Sequence, residues 1–427
     1  MWYSYLIIRN KLVTIHMNLT SLELAKDRAR IFKNYLQTEI DVNANSEKLA
    51  FLDRGIQNSP YQKQIQNYPD YLKQKPDGLN VISYIPPANS PLKLNLFPSL
   101  GELPQINPQA LNFLHEDIKQ ACVCIGTFIG DKIQAQWLGK NALTRGEFWS
   151  ATKIIPLLNI VSQLNTKYPD CDIDNCVVRD GYGQKHDLYF YDLAKDMISY
   201  TENIASSNSL AAMFKRFDTR TGLEQWLKQT TGNNDLTFRG DYGDIPYLDN
   251  PKMFDLSKKQ VLLTAAENSP EQNNSVSAYD LTRLISMLGW HFHIEQRSRM
   301  RGSQWSSLES IVRAMGHDTA RYADAAIKTL GMDSLISSPV IISKLGYGVS
   351  SRRGTLETVY VALVRFVDDR PKATGKPAKL RTLALTLRAE KVLDGSSSGD
   401  RFAIELDARV AAEVTEIFRR LFAEEFS

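Results

Sequence analysis

Two groups of strand-forming runs, far apart in the chain, constrain the fold more than any other feature. The first is Ala121–Phe128, an apolar run that reads as a buried strand, with Lys132–Leu138 as its hairpin partner across Gly130 and Asp131. The second lies beyond Pro339: Val340–Ser343, Thr355–Val367 and, after a basic turn at Arg370–Lys379, Leu380–Val392. Each group carries a helical flank. Asn107–Gln120 has Leu111, Leu114 and Ile118 at helical spacing and Pro108 at a first-turn position. Leu406–Phe426 carries a stripe of Val410, Val414, Ile417, Phe418 and Leu421. Paired together, the runs predict a five-stranded antiparallel sheet flanked by terminal helices, with a helical subdomain inserted at about 165–335. The fold class is α+β.

The remaining segments fit around that frame. Thr20-Ser21-Leu22-Glu23 is a capping-box pattern, and Leu22, Ala25, Ala29, Phe32, Leu36 and Ile40 predict a helix over 21–41. Residues 45–106 are polar and broken by Pro60, Pro69, Pro76, Pro86, Pro87, Pro91, Pro98 and Pro104. They read as short helices and an extended linker. Residues 1–106 are therefore set apart as an N-terminal extension, and 107–427 as the main domain. Within the middle, 190–216 is helical with a break at Ala205–Asn208, 231–256 reads as a long loop, and Ser277–Leu288 as a capped helix.

Composition excludes several functions. A net charge of +3, with no arginine-rich arm, gives no basis for nucleic-acid binding. No uncharged apolar run approaches the roughly 20 residues of a membrane span. The start, Met1 to Ile8, is apolar but short, with charge after it and no small-residue cleavage site. It is a poor signal peptide, and Met17 is an alternative start. By sequence the chain reads as cytoplasmic. Cys122 and Cys124 alternate on one strand face, while Cys171 and Cys176 flank an acidic loop and would bridge only in an oxidising compartment. His291-Phe292-His293-Ile294-Glu295 reads as a helix end and surface turn rather than a metal site. Gly181-Tyr182-Gly183 lacks the third glycine of a phosphate loop. No metal or cofactor is expected.

The chemistry-bearing stretch is Trp149-Ser150-Ala151-Thr152-Lys153, followed by the apolar run Ile154–Val161. On a helix, Ser150 and Lys153 share a face. A serine hydroxyl needs a base at neutral pH, and a lysine serves once burial or a neighbouring cation lowers its pKa. Pro156, read as two turns into this helix, is expected to kink it. Ser206-Ser207-Asn208 follows in a loop between helical segments, and Lys344-Leu345-Gly346 ends the strand Val340–Ser343.

These three pieces, in this order, resemble the motifs of the penicillin-recognising serine hydrolases, the class A β-lactamases and D-alanyl-D-alanine peptidases. The resemblance spans roughly 107–427, and Ser277–Leu284 looks like the helix such enzymes carry before their Lys-Thr-Gly strand. It implies a β-lactamase/transpeptidase-like fold. It also implies an acyl-enzyme at Ser150 with a β-lactam or D-alanyl peptide-type amide, so the partner is a small-molecule or peptidoglycan-type substrate. Enzymes of that family that meet peptidoglycan work outside the cytoplasm. By the resemblance, Lys153 is the base, Ser206 relays a proton to the leaving nitrogen, and Asn208 orients Lys153 and the substrate. Lys344 supplies positive charge, and the backbone N–H groups of Ser150 and Tyr347 form the oxyanion hole beside Gly346.

The chain departs from the family twice. Leu345 stands where a hydroxyl residue contacts the substrate carboxylate, and Arg352 or Arg353 is expected to compensate. The 231–256 loop holds no glutamate, which leaves Asp241 or Asp244 as candidate deacylation bases. Two alternatives stay open: a serine-dependent, glutaminase-like amidase on the same fold, and a ligand-binding relative without turnover.

Overall fold

The computed structural model describes residues 21–84, 94–182, 187–266, 273–393 and 399–426. Met17, Thr20, Pro86, Pro87, Pro91 and Gly183, used above, lie outside the described residues.

Five long strands form the centre: β1 (Ile118–Ile129), β2 (Lys132–Lys140), β3 (Ile336–Ser350), β4 (Thr355–Asp368) and β5 (Ala378–Val392). They pair antiparallel in the order β3-β4-β5-β1-β2, which leaves β3 at one edge. The β1–β2 hairpin turns where the sequence places it, with Ile129 opposite Lys132 and Gly130 at φ 60. A positive φ costs glycine nothing.

The sheet has eight strands rather than five. Three short ones come from the stretch read as linker: Val81–Ser83 runs parallel to β5, Asn95–Leu96 antiparallel to β2, and Ile106–Asn107 parallel to β2. Unpaired strand backbone needs a cover, and the proline-broken segment supplies one. Asn107–Gln120 is not a helix. Residues 109–113 are turns, the Leu111 N–H donates to the Gly139 carbonyl of β2, and β1 begins at Ile118. Leu111 and Leu114 are buried, as their spacing implied, but by consecutive turns along the sheet edge.

Side chains alternate across the sheet, so each face has its own core. Val123, Ile125, Tyr360, Val364 and Leu385 pack with α1 (Arg28–Ser46), a later helix at Tyr322–Thr329 and the closing helix Gly399–Ala423. Cys122, Cys124, Val361 and Leu363 face the other layer. That layer contains α2 (Ile154–Lys167), α3 (Phe190–Ser199), α4 (Ser207–Lys215), α5 (Arg220–Thr231), α6 (Ala278–Gly289) and α7 (Trp305–Met315). Every residue of α6 is buried, because it lies between the sheet and the outer helices. Ser277 and Asp280 close its capping box.

The inserted middle is not purely helical. Leu188–Tyr189, Cys176–Asp180, Pro251–Asp255 and Gln260–Thr264 form a small sheet, so the expected 231–256 loop ends in a strand. Its signal was the alternation of buried Pro251, Met253 and Asp255. His291 and His293 are buried rather than on a surface turn. Phe128 packs edge-on against His293, and the His293 ring bonds the Leu72 carbonyl. Cys171 and Cys176 are free thiols with their Sγ atoms 3.6 Å apart. No helix among the described residues is long and apolar enough to cross a membrane.

The N-terminal stretch lies against the main domain. Asp407 of the closing helix accepts the N–H groups of Phe51 and Leu52 at 3.0 and 3.2 Å, and Glu39 of α1 accepts that of Ala50 at 2.9 Å. Burial, and then the neighbouring Asp407 carboxyl, push Glu39 up to about 11. The Phe51 carbonyl accepts from Arg321 N, and the Gly55 N–H donates to the Thr319 carbonyl.

Trp290, at the end of α6, is fully buried and donates from Nε1 to Thr382 on β5 at 2.8 Å. A Cβ on Gly126 would sit 2.8 Å from its ring, so β1 is shaped around the indole. Trp290→Ala is expected to destabilise the domain by about 3–5 kcal/mol, measured as a lowered urea midpoint.

Candidate active site

Ser150 sits in a single 3-10 turn, Trp149–Lys153, that runs into α2. Because α2 starts at Ile154, Pro156 occupies its first turn rather than its second, where no helical N–H bond is lost and the reason for expecting a kink falls away. Trp149, just before the serine, has φ 49, a left-handed conformation that costs a bulky residue roughly 1–3 kcal/mol. Its indole is anchored: Nε1 donates to Glu357 Oε2 on β4 at 2.9 Å. Glu357 is itself fully buried between Arg353 and Arg388, which hold its carboxyl below the usual range despite burial.

Strand β3 runs directly against this turn. A Cβ on Gly346 would lie 2.6 Å from the Phe148 carbonyl oxygen and 3.0 Å from the Ala151 nitrogen, and one on Gly348 would strike the Trp149 ring. Only glycine permits that approach. As the edge strand, β3 has alternate backbone N–H groups without a partner in β4, and these face outward beside the Ser150 turn.

Lys153 is fully buried. Its Nζ donates to Ser207 Oγ at 2.8 Å and to Asn208 Oδ1 at 2.7 Å, both in the first turn of α4. Ser207 in turn donates to the Met197 carbonyl at 2.6 Å. Burial, and then the charge of Lys344, pull Lys153 down to about 6, against a smaller opposing effect of Asp244. The Lys344 ammonium is also fully buried. It donates to the Leu345 carbonyl at 3.1 Å and lies 4.0 Å from Asp318, whose carboxyl burial pushes up. The Tyr200 ring joins the two lysines, with Lys344 Nζ 4.1 Å and Lys153 Nζ 5.1 Å from its centroid. Ser150 makes no hydrogen bond to Lys153 among the described residues.

The other expected residues are dispersed. Ser206 does not reach Lys153: it caps α4 by accepting from Ser209 N, and its hydroxyl donates to Asp244 at 2.6 Å. At a helix start the cap points out along the axis, whereas the next residue is turned inward, so Ser207 takes the place beside the lysine. Asp241 is ion-paired with Arg220, and Asp244 is held by Ser206. Arg353 is engaged by Glu147 and Glu357 at 2.8 Å each. Arg352 and Arg353 line a neighbouring cavity that shares Glu147, Trp149, Asn273 and Asn274 with one of the two that Ser150 opens on. No group of three or more His, Cys, Asp or Glu side chains gathers as a metal site among the described residues.

Ser150, Asn208 and Tyr347 stand where two cavities meet. The first, about 690 Å³, runs between Tyr200, Leu345 and the N-terminal segment Lys48–Gln57. The second, about 670 Å³, runs over Trp149 and Tyr242 toward Asn273 and Asn274. Four participants escaped sequence reasoning: Ser207, Tyr200, Tyr242 and Asp318. A tyrosine or an acid far from any motif carries no local signal; only Ser207, inside the Ser-Ser-Asn triplet, had one.

No family model matches the chain, and no curated protein matches it in sequence. Among solved structures it is similar to a β-lactamase from Streptosporangium roseum, at 14% identity and TM-score 0.39, over 73% of this chain and 98% of that one. A β-lactamase from Desulfarculus baarsii gives 14% identity and TM-score 0.39, over 73% and 96%. The D,D-transpeptidase domain of a peptidoglycan glycosyltransferase from Eggerthella lenta gives 8% and 0.33, over 72% and 81%.

The lysine pair yields a direct expectation. Lys344→Met removes the second cation, so the Lys153 amine should titrate above its value of about 6. A lysine 13Cε NMR titration checks this; an unchanged midpoint would leave burial as the sole cause.

Proposed function

We propose that this protein is a serine hydrolase that forms an acyl-enzyme at Ser150 with an amide or ester carbonyl. The observation that carries the reading is Lys153: a buried amine, one turn from a serine at a cavity junction, held near 6 and hence unprotonated at neutral pH. Lys153 takes the Ser150 proton as Oγ bonds to the carbonyl carbon. The two groups are not yet bonded, and such contacts commonly tighten only when substrate binds. Lys153 then gives that proton to the departing nitrogen or oxygen, and Ser207, bonded to the same amine and to the Met197 carbonyl, holds the lysine in position. The N–H groups of Ser150 and Tyr347 hold the oxyanion, a role worth about 3 kcal/mol per donor. β-Lactams and D-alanyl-type amides are the substrates the sequence resemblance puts forward.

Removal of the acyl group has less support. Asp241 is spent on Arg220 and Asp244 on Ser206, so neither carboxylate is free to activate water over Ser150. The acyl-enzyme should therefore accumulate.

The test is labelling with a fluorophosphonate and with a labelled penicillin, read by peptide mass. A Ser150 adduct is expected. Its rate should rise with pH through about 6, because Lys153 acts as its free amine above that value and is lost as a base below it. Ser207→Ala should slow labelling by about 10²–10⁴-fold. Ser206→Ala should instead cost about 0.5–2 kcal/mol of stability through the lost cap. An adduct elsewhere, or a rate indifferent to Lys153→Met, overturns the proposal.

A further inference from the structure

We infer that Glu357 is a positioning residue for acylation: through the Trp149 indole it holds the residue before the nucleophile in a left-handed conformation and so aims the Ser150 N–H and hydroxyl. The inference rests on the serine hydrolase reading above. The planar peptide unit between Trp149 and Ser150 carries the Ser150 N–H, so the backbone angles of Trp149 set where that donor points. At φ 49 Trp149 lies where a bulky residue is an outlier. Such a conformation persists only where the surroundings over-determine it.

One buried cluster at the ends of β4 and β5 does this. Trp149 Nε1 donates to Glu357 Oε2 at 2.9 Å, Arg353 Nη2 to Glu147 Oε2 at 2.8 Å, and Arg388 Nε to the Glu147 carbonyl at 3.2 Å. The chain entering the Ser150 turn is thus clasped at Glu147 and again at Trp149. Gly348 of β3 backs the indole, since a Cβ there would lie 2.5 Å from the ring. The Trp149 carbonyl accepts from Thr152 Oγ1 at 2.8 Å, which fixes the same residue from within the turn.

Glu357 divides its two oxygens. Oε1 accepts from Arg353 at 2.8 Å, Thr355 at 2.7 Å and Arg388 at 2.9 Å, whereas Oε2 accepts the indole. Against its burial, Arg353 and Arg388 hold the carboxyl below the usual range, so it meets the indole as an anion, the stronger acceptor. Trp149 also lines the second cavity beside Ser150, so positioning and substrate contact have to be separated by measurement.

The test uses an alkyl fluorophosphonate on the full chain. Ser150 Oγ bonds to phosphorus, the P–F bond breaks, fluoride leaves with the electron pair, and the serine proton goes to Lys153. Adduct formation, read by peptide mass, gives a limiting rate constant and a half-saturating concentration. Trp149→Phe keeps an aromatic ring and removes the donor. Glu357→Gln keeps an acceptor oxygen for the arginines and turns an amide nitrogen toward the indole. Each should lower the limiting constant about 10–100-fold, as slight misalignment of reacting groups does, with half-saturation unchanged. The pH midpoint of labelling, set by Lys153 at about 6, should stay where it is. Both substitutions break one bond, so the double variant should be no slower than the slower single one. If Glu357→Gln does not fold, Trp149→Phe decides through its limiting constant and pH midpoint. An unchanged limiting constant in Trp149→Phe, a loss confined to half-saturation, a moved pH midpoint, or losses that multiply in the double variant each overturns the inference, while the Ser150 adduct still upholds the hydrolase. No Ser150 adduct in the unaltered chain removes both readings.

Discussion

The contact of edge strand β3 with the Trp149–Lys153 turn is the constraint on which the site depends. At Gly346 the strand backbone comes so near the turn that a single methyl would collide with the Phe148 carbonyl. That closeness sets an outward-facing strand edge beside the serine and brings Lys344, two residues earlier, toward Lys153. It also explains the strain at Trp149. The turn is forced over by β3 from one side and pinned by the indole–Glu357 bond from the other.

Two ammonium groups are then buried within one site, which is costly unless one gives up its proton or finds a partner. The structure uses both outcomes. Lys344 is close to Asp318 and the Tyr200 ring, whereas Lys153 has only neutral acceptors, Ser207 and Asn208, and loses its proton near neutrality. An acid beside Lys153 would have stabilised it as a cation and made it useless as a base. Among the described residues no carboxylate is bonded to Lys153, as the base in the proposed mechanism requires.

The N-terminal stretch forms one wall of the first cavity. Its turn at Leu49–Leu52 is gripped by the carboxyls of Glu39, from α1, and Asp407, from the closing helix. The grip carries Asp53 to the cavity wall. A segment that reads as a polar linker is in this way a structural part of the space around Ser150.

The sequence by itself determined the strand runs, the hairpin turn, the closing helix, the capped α6 and the linear positions of Ser150, Lys153, Asn208 and Lys344. Each depends on local patterns: alternation, helical stripes, caps and glycine turns. It misread 107–120 because apolar spacing looks the same whether consecutive turns or a helix bury it. It chose Ser206 over Ser207 because a triplet does not say which hydroxyl faces inward; the start of α4 decides that. Tertiary structure alone decided the Tyr200 platform, the Asp318 partner, the diversion of Arg353, Asp241 and Asp244 into other bonds, and the wall carrying Asp53. All of these are contacts between residues distant in sequence, fixed only when the sheet and its two helical layers close around them.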